Sequence, residues 1–147
     1  EAEADRLERS IADRATSENA IEPSCDLYRS LDPERVAVAT SARKDTALSN
    51  LRVLGLGQPK VLVSGQDVDN GKPAPDPYLL AAERIGTEPA NCVVVEDAPA
   101  GIDAGKAAGC HVVALTSTHE ADELSAADLV VAPDQLQEIF SSLIRTE

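Results

Sequence analysis

The chain has 147 residues, 43% hydrophobic and 27% charged, which is enough for one domain with a core of its own. Its formal net charge is −13, from 26 acidic and 13 basic side chains. No basic patch is therefore at hand for a nucleic acid or an anionic membrane. The cysteines at 25, 92 and 110 show no CxxC or Cys/His spacing, so neither a zinc site nor a disulfide framework is indicated, and no apolar run approaches membrane-spanning length.

Residues 3–20 are charged, with Ala4, Leu7, Ile11 and Ala15 at helical spacing, and predict an amphipathic helix with an acidic solvated face. The chain opens on Glu1 inside this pattern, so a missing beginning is expected. A second helix is expected over 24–31, with Leu27 and Leu31 on one face. VAVAT (36–40) is a short unbroken apolar run, which suits a strand covered on both faces. A helix follows through Leu48, Leu51 and Leu54, with Gly55 just past its end.

The alternation repeats along the rest of the chain. KVLVSG (60–65) reads as a strand. DPYLLAAERIG (76–86) reads as a helix with Asp76 as its cap, Pro77 in its first turn and Gly86 at its exit. CVVVED (92–97) is a strand, PAGIDAGKAAG (99–109) a helix of small residues that can lie close on a sheet, and HVVAL (111–115) and DLVVA (128–132) are strands. DQLQEIFSSLI (134–144) closes as a helix. Strands alternating with helices of this length predict an α/β fold with a three-layer, Rossmann-like parallel sheet. Ligands of such sheets bind beyond the carboxyl ends of the strands.

Those ends carry chemistry. Thr40 and Ser41 follow VAVA, Lys72 follows VLVSGQDVDNG, and Glu96 and Asp97 follow VVV. Two adjacent carboxylates at the end of a buried strand repel each other and resist dehydration, and a divalent cation would compensate them. Hydroxyl, lysine and carboxylate pair on one rim make up phosphoryl-transfer equipment, in which positioning and charge stabilisation do most of the work. Each residue alone also has a plain reading. Thr40 can be an ordinary strand-end residue, Lys72 a turn lysine, Glu96 a solvated loop acid, and Asp97 the cap of the helix beginning near Pro99. His111 and His119 have no partner at metal-ligand spacing and read as structural or solvated.

The order VAVATSA, GKPAPDPY, VVVEDAPAGIDAGKAAG resembles the haloacid dehalogenase-like (HAD) hydrolase superfamily over about residues 35–132. LVSGQDVDNGKPAPDPY and EDAPAGIDAGKAAG are most similar to the 2-deoxyglucose-6-phosphatase and glycerol-phosphatase type of sugar and polyol phosphatases. The resemblance implies that Thr40 hydrogen-bonds phosphoryl oxygens with Ser41 adding backbone contact, that Lys72 stabilises the charge of nucleophile and phosphate, and that Asp97, supported or joined by Glu96, binds Mg²⁺. It also implies a small phosphorylated sugar or polyol as substrate; a cytoplasmic location is the default expectation from the scattered cysteines and the absence of a signal-peptide pattern.

The family's nucleophile is an aspartate in a DxDGT-type motif at the end of a first, central strand, and it forms a covalent aspartyl-phosphate. Residues 1–59 hold no such motif. Asp67-Val68-Asp69 is literally DxD, but it lies in the loop leading to Lys72. IEPSCDLYRSL (21–31) also departs from the family's Pro-Gly-small pattern. The expectation is a truncated chain: residues 1–22 as the remnant of a helical cap and 23–147 as an incomplete HAD-like core lacking its first strand. Open strand edges would then favour self-association. Two functions compete, a Mg²⁺-dependent phosphatase (or its core fragment) and an inactive relative that binds phosphate, Mg²⁺ or a protein partner. A phosphomutase of the same superfamily fits less well because the GQDVDNGKP loop resembles the phosphatase type, and a receiver-type domain because Lys72 precedes the acidic pair.

Overall fold

The computed structural model describes residues 22–144, so the helix expected at 3–20 and the cap assigned to 1–22 fall outside the described residues. Five strands and five α-helices alternate in the expected order. They are α1 (Glu22–Ser30), β1 (Ala37–Ala39), α2 (Lys44–Val53), β2 (Val61–Val63), α3 (Asp76–Ile85), β3 (Val93–Glu96), α4 (Pro99–Ala108), β4 (His111–Leu115), β5 (Leu129–Val131) and α5 (Leu136–Ile144). Short 3₁₀ turns precede β1, β3 and α5 and separate β4 from β5. Asp76 is the first residue of α3 rather than its cap, and Pro75 takes the cap position.

All pairing is parallel, and among the described residues it falls into two blocks. β1 pairs with β2 (Ala37↔Val61 to Ala39↔Val63), and β3-β4-β5 form a second sheet in which Val93 faces His111 and Leu115 faces Val131. β1 and β3 each have one strand neighbour, so the sheet is interrupted between them. α3 packs on β1 and β2 and also on α4, which ties the two blocks together.

The apolar runs owe their continuity to cover on both faces. Val112 and Ala114 of β4 join Val94, Ile102 and Leu124 on one side. Val113 and Leu115 join Leu27, Val131, Leu136 and Phe140 on the other, under α1 and α5. β4, with neighbours on both edges, is buried from Val112 onward, whereas β1 is only half-buried along its length. The small residues of α4 let it lie close on the sheet: a Cβ at Gly105 would come within 2.7 Å of the Val112 side chain.

Candidate functional site

Three loops leave the carboxyl ends of β1, β2 and β3, and main-chain contacts lock the first two together. The Thr40 amide donates to the Val63 carbonyl, the Gly65 amide donates to the Ala42 carbonyl, and a Cβ at Gly65 would stand 2.3 Å from the Ser41 carbonyl oxygen. Only glycine permits that approach. The two adjacent hydroxyls differ in state. Thr40 is buried, and its Oγ1 accepts the Ala42 amide at 3.1 Å, a local turn bond. Ser41 Oγ is buried with no hydrogen-bond partner among the described residues, and Ser117 Oγ, beyond β4, is in the same condition. Thr40 Oγ1 accepts in that turn bond and keeps its own proton to donate, so the hydroxyls of both Thr40 and Ser41 have hydrogen-bonding capacity left at the end of β1.

Lys72 is buried between these loops and β3. Its Nζ donates to Glu96 Oε2 at 2.8 Å and to the Ala39 carbonyl at 3.3 Å, so one ammonium spans the interruption between β1 and β3. Both side chains of the Lys72–Glu96 pair are 3% exposed. A charge pair this deep persists only when its remaining valences are satisfied. Tyr78, on the first turns of α3, meets that need. Its hydroxyl donates to Glu96 Oε2 at 2.6 Å, and its ring lies under the lysine, with Nζ 5.0 Å from the centroid. The Asp97 amide donates to Glu96 Oε1 at 3.1 Å. Burial by itself would raise the Glu96 pKa, but the Lys72 charge and these hydrogen bonds outweigh it and hold the carboxyl below its usual range. Burial and the neighbouring Glu96 charge push the Tyr78 phenol well above its ordinary value, so it serves as a donor.

Asp97 begins the next loop and is partly exposed. It does not cap α4, whose cap residue is Ala98 with no side-chain bond. Thr118 Oγ1, from the loop after β4, lies 3.0 Å from Asp97 Oδ2. His119 is buried, and its Nδ1 lies 3.0 Å from the Asp97 carbonyl, so this histidine is neither solvated nor idle. Tyr78, Thr118 and His119 were not among the residues expected at the rim. The family-like DPY stretch was a signal for the tyrosine, and a histidine beside hydroxyls at a strand end was a weaker one for the others.

The DxD stretch plays a different part. Asp67 Oδ2 accepts the Ser64 amide at 2.8 Å and the Ser64 hydroxyl at 3.0 Å, with Arg84 3.7 Å away. Those bonds to Ser64, helped by the arginine, lower the Asp67 pKa, and they make it a turn residue. Glu96 and Asp97 are the carboxylates at the rim beside Lys72, and no group of three or more His, Cys, Asp or Glu suited to a metal occurs among the described residues.

The family model of the haloacid dehalogenase-like hydrolases matches residues 7–109. Hexitol phosphatase A of Escherichia coli is 45% identical over 95 residues, covering 65% of this chain and 44% of the relative. Glycerol-1-phosphate phosphohydrolase 2 of Saccharomyces cerevisiae is 40% identical over 107 residues, covering 68% of this chain and 43% of the relative. Among solved structures, a HAD family hydrolase from Deinococcus radiodurans, with bound phosphate and sodium, superposes with a TM-score of 0.75 at 30% identity, covering 83% of this chain and 59% of that one. The chain spans less than half the length of these two curated relatives. The motif order, the parallel sheet and these matches agree: the chain belongs to the haloacid dehalogenase-like hydrolase family.

Proposed function

We propose that this chain forms most of the phosphate-handling rim of a Mg²⁺-dependent phosphatase for small sugar or polyol phosphate monoesters. One observation carries the reading: the Lys72 ammonium is buried where the ends of β1 and β3 converge, between the Ala39 carbonyl and Glu96, with the unpartnered Ser41 hydroxyl two residues from its first contact. A phosphoryl group at this rim would be met by a cation already held in place, with Lys72 Nζ and Ser41 Oγ both buried and needing to be uncovered before they touch it. The names of the curated relatives supply the substrate class.

The residues present suit Mg²⁺. That ion takes one or two carboxylates, completing its shell with water and phosphate oxygens. Asp97 is the better ligand. Glu96 already accepts three hydrogen bonds of roughly four that a carboxylate can take, so it supports the site and offers at most one further lone pair. When bound, the cation would neutralise charge on the transferring phosphoryl group. Lys72 would hold a phosphate oxygen, and the Thr40 and Ser41 hydroxyls would each have a proton to donate to the others. Asp67 is committed to Ser64 and is not placed to attack a phosphoryl group.

That commitment favours a second reading for the chain by itself, a module that binds phosphate and Mg²⁺ without turnover. We also read 1–22 as a cap remnant and 23–147 as the core, with the facing edges of β1 and β3 as the surfaces through which copies would associate. The test combines calorimetry of inorganic phosphate with Mg²⁺ and hydrolysis of glycerol and hexitol phosphates. Phosphate binding lost in Lys72→Met and Ser41→Ala, with turnover, supports the enzyme; binding without turnover supports the module. Absence of phosphate binding by the unmodified chain would reject both.

A further inference from the structure

The loop after β4 reaches back to the carboxylate of a different strand. Its first residue is pinned by the Thr116 amide donating to the Val131 carbonyl, so it leaves the most buried strand with little freedom. Thr118 Oγ1 lies 3.0 Å from Asp97 Oδ2 and 3.2 Å from the Asp97 carbonyl. His119 Nδ1 lies 3.0 Å from that carbonyl and 3.0 Å from Thr118 Oγ1. The donor and acceptor roles at Nδ1 follow the histidine tautomer. In the Nδ1–H tautomer the ring donates to the Asp97 carbonyl, which only accepts. The single Thr118 proton is then available for Asp97 Oδ2. The main chain of Asp97 is held by the histidine and its carboxylate by the threonine.

From this geometry we propose that Thr118 is a positioning residue that orients the Asp97 carboxylate for a divalent cation, with His119 holding the backbone beneath it. The proposal rests on the reading of Asp97 as the cation's ligand. Losing the Thr118 contact would remove one of the restraints that keep the Asp97 carboxylate in a single orientation. Hydrogen-bond partners of metal-binding carboxylates act in this way, and their loss weakens metal affinity by about 10–100-fold.

The test is calorimetric titration of the full chain with Mg²⁺ in the presence of inorganic phosphate. It compares the unmodified protein with T118S, T118A and T118V, and takes D97N as the reference for a lost ligand. Thr118→Ser should bind Mg²⁺ like the unmodified chain. Thr118→Ala, which differs from it by the hydroxyl alone, should bind about 10–100-fold more weakly, and so should the near-isosteric Thr118→Val. Melting temperatures measured without metal should agree between Ser and Ala variants, since a purely structural role would separate them. Equal Mg²⁺ affinity in T118S and T118A, or equal weakening of both, overturns the positioning role. If D97N binds as tightly as the unmodified chain, or the latter binds no cation, the assignment of Asp97 itself falls, a result distinct from the first.

Discussion

Replacing Gly101 by alanine sets two physical effects against each other. Alanine in a helix interior is worth about 1 kcal/mol over glycine, so propensity alone makes Gly101→Ala stabilising. The tertiary contact says otherwise: a Cβ at 101 would stand 1.9 Å from Glu96 Cδ and 2.0 Å from Oε2. The end of a glutamate is ordinarily easy to displace. This one is pinned by Lys72 at 2.8 Å, by the Tyr78 hydroxyl at 2.6 Å and by the Asp97 amide at 3.1 Å, and its side chain is 3% exposed. Moving it breaks a buried ion pair, which costs about 3–5 kcal/mol. After the helix gain is set against that, net destabilisation should be about 2–4 kcal/mol. That corresponds to a melting temperature lower by roughly 10 °C in a domain of this size. Urea unfolding followed by circular dichroism measures it, with Glu96→Ala as a second background. In that background the obstruction is gone, and Gly101→Ala should be neutral or stabilising. The same loss in both backgrounds, or a gain in the unmodified chain, would refute the idea that α4 is kept open at this position for Glu96.

Tyr78→Phe keeps the ring under Lys72 and removes a hydrogen bond to a charged acceptor, so urea unfolding should show a loss of about 1.5–3 kcal/mol; no loss would mean that the hydroxyl is dispensable to Glu96. Glu96 is held below its ordinary value of 4.5, so its contribution is complete above that pH and is lost as pH falls through the folded-state value. Stability measured against pH should therefore fall more steeply on the acid side in the unmodified chain than in Glu96→Gln, and parallel acid limbs would contradict the depressed pKa. Cys110 is buried beside Cys92, and burial, with a smaller effect of that neighbour, pushes its thiol up to about 11. Iodoacetamide at neutral pH should leave it unmodified until denaturant is added, as peptide mass mapping would show, and rapid labelling of the folded chain would disprove its burial.

The site was readable in the sequence where a residue's position on an element fixed its place. Lys72 and the Glu96–Asp97 pair each follow an apolar strand run, and parallel strands deliver their carboxyl ends to one rim. The structure brings Lys72 and Glu96 into contact there. Thr40 and Ser41 were harder to tell apart. Successive strand residues point to opposite faces, and a run apolar on both faces gives no phase by which to choose between neighbours. The main-chain contacts that bury Thr40 and the Ser41 hydroxyl at the rim, from the Thr40 amide to Val63 and from the Gly65 amide to Ala42, exist only once the β1 and β2 loops have met. Tyr78, Thr118 and His119 act across 18 to 22 residues of chain, a separation over which local pattern carries no information.

Among the described residues, periodicity and punctuation by themselves determined the order of five strands and five helices, the parallel pairing and the layering, because these follow from burial repeating along the chain. Tertiary structure decided what the charged groups do. It set Lys72 between two sheet blocks, turned Asp67 onto Ser64, and placed Thr118 on Asp97. A hydrogen bond or ion pair depends on distances of a few tenths of an ångström between remote segments, and only the packed fold sets those distances.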